Sequence, residues 1–373
     1  MVWLSGWQYR KSHEIVGSTA GAQTNYQIRI KVHRTTGADS GEDVYVGTKC
    51  RADFGDIRFT KSDGVTLLDY WLEEYDGDVA TFWVEVDNIP ASPDTTTIYI
   101  YYGNPSATTT SNGDNTFLFF DHFEDLSKWT QVKDSSYITS GVSASEIYGQ
   151  YNIPTYKYAQ DDAYETSAFT LPASFGVKFK FKNTWSSGDI KPQFVIIEDR
   201  STSGPHNRYY LSNDAKWMYW GSWYTIGDSA AEDGAYHKAE VLAVNDAWKI
   251  YEDDVLIGSW TAITASGLPL GIDFMSYTSS YSAAGETRID WLFVRKYVDP
   301  EPSHGAWGSE ESAPVLVETI VAKTFPMLYL SKPATAQELI SKIEGATVKH
   351  VAKDYPEKLI KEGKTKELRS KFI

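Results

Sequence analysis

The chain has 373 residues, length enough for two or three domains, with 14% aromatic residues and a formal net charge of −15. That aromatic content excludes a disordered polymer. The acidity argues against nucleic acid or an anionic membrane as the main partner, since both require clustered Lys and Arg. In chain order, "MVWLSGWQYRKSH" shows no basic segment followed by an apolar one, and no window approaches the ~18 apolar residues of a membrane span. Three routes stay open: a chain kept inside its cell, a leader already removed, or release by lysis as for virion parts. "NYQIRIKVH" then alternates Tyr26, Ile28, Ile30 and Val32 against Gln27, Arg29, Lys31 and His33, which predicts a half-buried strand. "TFWVEVD" repeats the pattern with Phe82, Val84 and Val86, and "TTIYIYYGNP" is a β-rich run stopped at Gly103-Asn104-Pro105. Residues 1–107 are therefore expected to form a first β-sandwich, and the small polar residues 108–116 a linker.

The strand grammar then restarts. "FGVKFKFK" predicts Val177, Phe179 and Phe181 inside with Lys178, Lys180 and Lys182 outside, and "AWKIYEDDVLIGSW" predicts a hairpin turning at Asp253-Asp254. "GETRIDWLFVRKYVDPEPS" reads as a strand. Strict alternation sets Ile289, Trp291 and Phe293 on one face and Asp290, Leu292 and Val294 on the other. A carboxylate sharing an apolar face needs a partner. Strands at ~10-residue spacing predict a second antiparallel sandwich over 117–299. The fold class expected is thus mainly β, two tandem antiparallel β-sandwiches, with a Pro/Ser/Glu linker over 300–315.

Residues 316–373 differ in kind. All 13 Trp precede them; residues 312–373 carry 11 Lys/Arg against 7 Asp/Glu, whereas the first 311 carry 24 against 43. "FPMLYL" and "ATVKHVA" are strand candidates. "TAQELISKIEG", with Thr335 as N-cap and Gly345 closing it, and "YPEKLIKEGKTKELRSKF", with Pro356 in its first turn and Gly363 weakening it, are helix candidates. A small βαβα piece that self-associates or docks on a partner is expected.

Residues 7–124 contain "WQYRKSHEI", "TNYQIRIKV", "GDIRFTKSDGVTLLDYWLEEYD", "ATFWVEVDNIPA", "TTTIYIYYGNP" and "FFDHFED". Together these blocks resemble the domain-of-unknown-function family 2341, found in archaeal and bacterial surface and secreted proteins. Residues 117–298, through "FFDHFEDLSKW", "YHKAEVLAVNDAWKIYEDDVLIGSW" and "TRIDWLFVRKY", resemble the concanavalin A-like lectin/glucanase sandwich of the laminin-G type. That resemblance implies a jelly roll whose first and last strands lie side by side. It further implies that Asp121, Glu124 and Asp290 would converge as an oxygen cage for a structural Ca²⁺. The other readings of Asp290 are a structural partner of Arg288 or Arg295, and a general acid.

Catalytic machinery is sparse in the sequence. Glucanases of the resembled fold stage Glu-x-Asp-x-Glu on one strand; Glu85 and Asp87 come nearest, without a third carboxylate. The adjacent pairs Glu73-Glu74, Glu198-Asp199 and Asp253-Asp254 would point to opposite faces on strands. Asp53, Asp56 and Asp63 read as turn chemistry. The seven histidines show no ligand spacing, and the single Cys50 reads as a small apolar filler. Binding has the better case: "DAKWMYWGSWYTIGD" gathers Trp217, Tyr219, Trp220, Trp223 and Tyr224, rings that either fill a core or stack on the C–H faces of sugars. The expected function is a non-catalytic glycan- or surface-binding protein exposed on a cell or virion. The alternatives are a structural fibre, spike or filament component, and a glycoside hydrolase.

Overall fold

The computed structural model describes residues 2–133, 136–154, 160–188, 193–196, 208–211, 214–219, 222–228, 233–261, 266–276, 283–314, 319–320 and 368–369. The chain divides into two units, Met1–Glu311 and Ser312–Ile373. In the second unit, Thr319–Ile320 and Leu368–Arg369 pair as a short antiparallel ladder. The strand and helix candidates around Thr335, Gly345, Pro356 and Gly363 lie outside the described residues.

The first unit opens with β1 (Tyr9–Val16), β2 (Gln23–His33), β3 (Asp43–Tyr45), β4 (Arg58–Thr60), β5 (Tyr70–Tyr75), β6 (Val79–Ile89) and β7 (Thr95–Tyr102). One sheet runs β3–β2–β6–β5 and the other contains β1–β7–β4. The predicted alternation holds. Ile28 lies opposite Val84 and Ile30 opposite Phe82, and all four enter one core with Tyr26, Val32, Val86, Phe59 and Ile100. Cys50 joins that core, and burial pushes its thiol up to about 12. The three aspartates do serve turns: Asp63 accepts from the Val65 and Thr66 amides, Asp53 from that of Gly55, and Asp56 from those of Gly103 and Asn104.

The second sandwich follows with β8 (Phe119–Asp121), β9 (Trp129–Lys133), β10 (Ile138–Val142), β11 (Ile147–Ile153), β12 (Gln160–Thr170), β13 (Ser174–Gly188), β14 (Gln193–Ile196) and β15 (Arg208–Leu211). It continues with β16 (Asp214–Tyr219), β17 (Ser222–Asp228), β18 (Tyr236–Val244), β19 (Ala247–Glu252), β20 (Val255–Thr261), β21 (Pro269–Ser276) and β22 (Ala283–Arg295). One sheet has the order β10–β11–β22–β13–β18–β19–β20 with β8 added on β22; the facing sheet runs β17–β16–β15–β14–β21–β12–β9. The first and last strands, β8 and β22, are neighbours, with Asp121 opposite Leu292. Val177, Phe179 and Phe181 pack with Ile272, Phe274, Leu292 and Val294 in the core between the sheets.

After β22 the chain does not enter a free linker. Strand β23 (Ser303–Trp307) returns to pair with β1, with Trp307 opposite His13 and His304 opposite Ile15, so the first sandwich's sheet becomes β23–β1–β7–β4. The jelly roll is therefore inserted into the first sandwich, a correction to the expected 300–315 linker. Composition misleads here because an edge strand needs only its backbone to pair, and Pro/Ser/Glu-rich sequence does not prevent that. His13 Nε2 and His304 Nδ1 are 2.9 Å apart, and the His13 ring stacks on Trp307 at 3.7 Å between centroids.

The expected 108–116 linker is likewise pinned in place. Asn112 N–H donates to Tyr70 O, Leu72 N–H to Ser111 Oγ and Thr110 N–H to Tyr70 Oη, and Asn112 caps a single helical turn, Gly113–Thr116.

The reason for this tethering is a third cluster that belongs to neither sandwich core. Trp71 and Trp83 project from the first sandwich against Phe117, Phe120, Trp291 and Phe293 of the second. Phe117 stacks on Phe293 at 3.9 Å, and Trp71 meets Trp291 edge-on at 5.1 Å. Buried charge rings this patch. Glu73, with a side chain 1% exposed, pairs with Lys238 at 2.6 Å and lies 3.9 Å from Lys178, while accepting from Trp83 Nε1. Arg29 grips both carboxylate oxygens of Asp254 at 2.8 Å. Arg295 bridges Glu240 and Glu301, and Glu301 also accepts from Tyr26 Oη at 2.6 Å. Lys178 is thus on the outer face, as alternation requires, yet buried, because that face meets protein instead of water.

Candidate functional site

The backbone register of β14 to β17 sorts the aromatic run. Ile272 and Phe274, which are fully buried, lie opposite Ile196 and Phe194, and Ile196 lies opposite Tyr209. Tyr209 lies opposite Trp217, and Trp217 opposite Tyr224. Positions 217 and 224, and 219 by alternation, are therefore in phase with the core-facing side of the sheet. The other side takes positions 208, 210, 216, 218, 223 and 225, because Arg208 lies opposite Met218, Met218 opposite Trp223, Tyr210 opposite Lys216, and Lys216 opposite Thr225. Of the five expected platform residues only Trp223 shares the outward phase; Trp220 lies outside the described residues. Sequence reasoning missed Arg208 and Tyr210, which the strand register sets in the same phase as Trp223, two strands away.

Asp121, Glu124 and Asp290 are not brought together. Asp121 turns inward, where its carboxylate accepts from Trp129 Nε1 at 2.6 Å and from the Phe123 amide at 2.8 Å. Burial raises its pKa despite these bonds. Glu124 is exposed, 3.2 Å from His122. Asp290 sits at a β-bulge: Lys180 lies opposite Trp291 and Phe181 opposite Ile289, leaving Asp290 as the extra residue. The bulge shifts the phase of the strand. Ile289, Leu292 and Val294 all reach the jelly-roll core, while Trp291 and Phe293 reach the junction. The expected grouping of Ile289 with Trp291 and Phe293 is corrected accordingly. The partner of Asp290 is Lys180 at 2.7 Å, whereas Arg288 binds Glu146 and Glu286, and Arg295 binds Glu240 and Glu301.

Glu85 and Asp87 of β6 are also occupied. Glu85 accepts from Gln27 Nε2 at 3.3 Å, with its pKa raised by burial and by Asp69, and Asp87 pairs with Lys61 at 2.6 Å.

A different polar group is assembled at the β18–β19 hairpin and the turn that follows it. His237 Nδ1 lies 2.7 Å from Asp253 Oδ2, and His237 Nε2 lies 3.0 Å from Asp233 Oδ1. Burial opposes charge on this imidazole, but the two carboxylates outweigh it and raise its pKa. Asp253 Oδ1 accepts from the Lys238 amide at 2.9 Å. A ring nitrogen of His237 and carboxylate oxygens of buried Glu252 and exposed Asp253 all lie within 4.8 Å of one another. Asp253 and Asp254 both adopt left-handed backbone, φ 46° and 63°, as the predicted turn requires. Asp254 reaches the first sandwich through Arg29 and also faces Lys178; burial favours its neutral form, but these two cations lower its pKa.

The two sandwiches define a mainly β, jelly-roll-containing class of protein. Residues 53–132 match the family model described as "Domain of unknown function (DUF2341)", overlapping residues 7–124, where that resemblance was expected, and running eight residues past them. No curated protein matches the chain. Similar solved structures include the carbohydrate binding module CBM66 from Bacillus subtilis, at 13% identity and TM-score 0.33, covering 46% of this chain and 97% of that one. A Bacteroides ovatus mixed linkage glucan GH16 protein in complex with a product is 13% identical with TM-score 0.35, over 48% and 99% of the two chains. The Emp47p carbohydrate recognition domain is 11% identical with TM-score 0.33, over 48% and 94%.

Proposed function

We propose that the protein is a glycan-binding module exposed on a cell or virion surface, and that the outward side of the sheet β17–β16–β15–β14 carries the site. The observation that carries this reading is the register that lines up positions 208, 210, 216, 218, 223 and 225 on one side of three adjacent strands. These positions hold Arg, Tyr, Lys, Met, Trp and Thr. Aromatic residues offer flat surfaces for the C–H faces of sugar rings, and Arg, Lys and Thr supply hydrogen bonds to hydroxyls. Among the described residues, no helix is long and apolar enough to cross a membrane.

The test is a panel of neutral and acidic polysaccharides, followed by titration of the best ligand. Trp223→Ala and Tyr210→Ala should each weaken binding by about tenfold or more with the melting temperature held, a loss of ~1.4 kcal/mol. Trp217→Ala should instead lower the melting temperature. Absence of binding by the wild-type chain at millimolar saccharide refutes the reading.

A second reading, a structural component in which the fused sandwiches act as a stiff spacer and residues 316–373 self-associate, is favoured by the buried junction. Size-exclusion chromatography with and without residues 316–373 tests it, since a monomer in both cases removes the assembly role.

A further inference from the structure

We propose that the His237–Glu252–Asp253 group is a divalent transition-metal site of the Zn²⁺ type, with His237 Nδ1, a Glu252 carboxylate oxygen and Asp253 Oδ2 as its three protein ligands. It is separate from the saccharide surface and stands or falls independently of it. Three features argue for a built site over a chance cluster of acids.

The ligand atoms already lie within 4.8 Å of one another. Metal–ligand bonds of ~2.0–2.2 Å in a tetrahedral shell hold ligand atoms roughly 3.3–3.5 Å apart. The present 2.7 Å between Nδ1 and Oδ2 therefore needs to open by less than ~1 Å. That short contact holds a proton between nitrogen and carboxylate; a metal ion takes its place and the proton leaves to solvent.

The outer contacts are those a metal-bound histidine uses. His237 Nε2–H donates to Asp233 Oδ1 at 3.0 Å, which orients the ring with Nδ1 toward Asp253 Oδ2. On the other ligand, Asp253 Oδ1 accepts from the Lys238 amide, which fixes the carboxylate with Oδ2 toward His237 Nδ1.

Burial and chemistry then select the ion. His237 and Glu252 are buried whereas Asp253 is exposed, so solvent reaches the group on the Asp253 side. One imidazole with two carboxylates suits Zn²⁺, while Ca²⁺ prefers six to eight oxygens. Both left-handed turn positions also carry functional side chains: Asp253 serves His237 and Asp254 grips Arg29 of the first sandwich. A metal at this turn would brace the contact between the sandwiches.

The experiment uses the untagged full chain, stripped with chelator and titrated with Zn²⁺ alone by calorimetry and with Co²⁺ by visible absorption. The expected result is a single Zn²⁺ bound per chain, Co²⁺ ligand-field bands, and a higher melting temperature. Glu252→Gln and His237→Gln should abolish stoichiometric binding, and Asp233→Asn should weaken it by ~10–100-fold. Cys50→Ser should leave it unchanged. A far-ultraviolet spectrum matching wild type shows that Glu252→Gln still folds, so this variant decides the matter if His237→Gln does not fold. Absence of stoichiometric Zn²⁺ binding, wild-type affinity in Glu252→Gln, loss of binding in Cys50→Ser, or Ca²⁺ binding as tight as Zn²⁺ would each overturn the assignment.

Discussion

The two sandwich cores and the junction between them solve different problems. Each core is assembled from aliphatic and aromatic side chains in phase with strand alternation. The junction combines six aromatic rings with buried Glu73, Lys178 and Arg295. An apolar core gains by burial almost regardless of small rotations, so it fixes which residues are inside but only loosely fixes orientation. Buried ions gain only when their partners are correctly placed, and taking them out of water costs several kcal/mol each. The junction's charges therefore select one docking of the sandwiches more than they add stability. The inserted topology reinforces this, because the chain leaves the first sandwich after β7 and returns to it as β23.

The largest effect that separates the two regions is expected from Glu73→Ala. It leaves Lys178 and Lys238 without their shared carboxylate, and breaking such a buried pair costs ~3–5 kcal/mol. Urea unfolding should then show two transitions where the wild type shows one, as the sandwiches uncouple. Phe293→Ala should act in the same direction by ~3–5 kcal/mol, through loss of its stacking on Phe117 and the cavity left behind. By contrast, Phe179→Ala in the jelly-roll core should cost a similar amount without splitting the transition. If Phe293→Ala unfolds the chain in one step, the junction is simply another part of a single core.

How much of this was legible in the sequence follows the same division. Alternation placed Tyr26, Ile28, Ile30, Phe82, Val84 and Phe179 correctly, because period-2 burial is a local property of a strand. What the outer faces meet is not local, so Lys178 read as solvated when it is buried beneath the first sandwich. The return of β23 was hidden because edge pairing uses backbone groups that composition does not report. The His237 group was missed for want of a register: with Asn245-Asp246 as a two-residue turn, Val244 lies opposite Ala247 and Ala239 opposite Glu252, which brings Lys238 beside Asp253. The aromatic run was found, but its sorting into two sides needed the pairing of β14 through β17.

The clasp made by β23 offers a smaller, pH-dependent separation. Burial first, and then His304, depress the His13 pKa from its usual value to about 3, and burial lowers that of His304 as well. The unfolded chain protonates these imidazoles near pH 6.5, before the folded one does, so stability falls as pH drops below that value. Each proton taken up on unfolding contributes about 1.4 kcal/mol per pH unit. Glu73 and Glu301 have pKa values lowered by their cations, against the pull of burial. Their contribution is lost only as pH falls below the ordinary carboxylate range. Acid should therefore loosen β23 before the junction. Hydrogen exchange at residues 303–307 should rise between pH 6.5 and pH 5 while that of Trp291 and Phe293 stays protected, and His13→Gln should flatten the dependence.

The smallest expected effect belongs to Asp290. Its partner Lys180 is on the neighbouring strand, both side chains are partly exposed, and the bulge that displaces Asp290 is fixed by the packing on either side of it. Ile289 is held in the jelly-roll core and Trp291 in the junction, so the strand must change phase between them whatever residue fills the gap. The carboxylate then sits outside both apolar regions and contributes as a surface pair does, ~0–1 kcal/mol. Asp290→Asn should shift the unfolding midpoint by no more than that and leave the two-sandwich unit cooperative. A loss of several kcal/mol would show instead that the Lys180 pair sets the bulge, and that charge rather than packing determines which face of β22 meets the first sandwich.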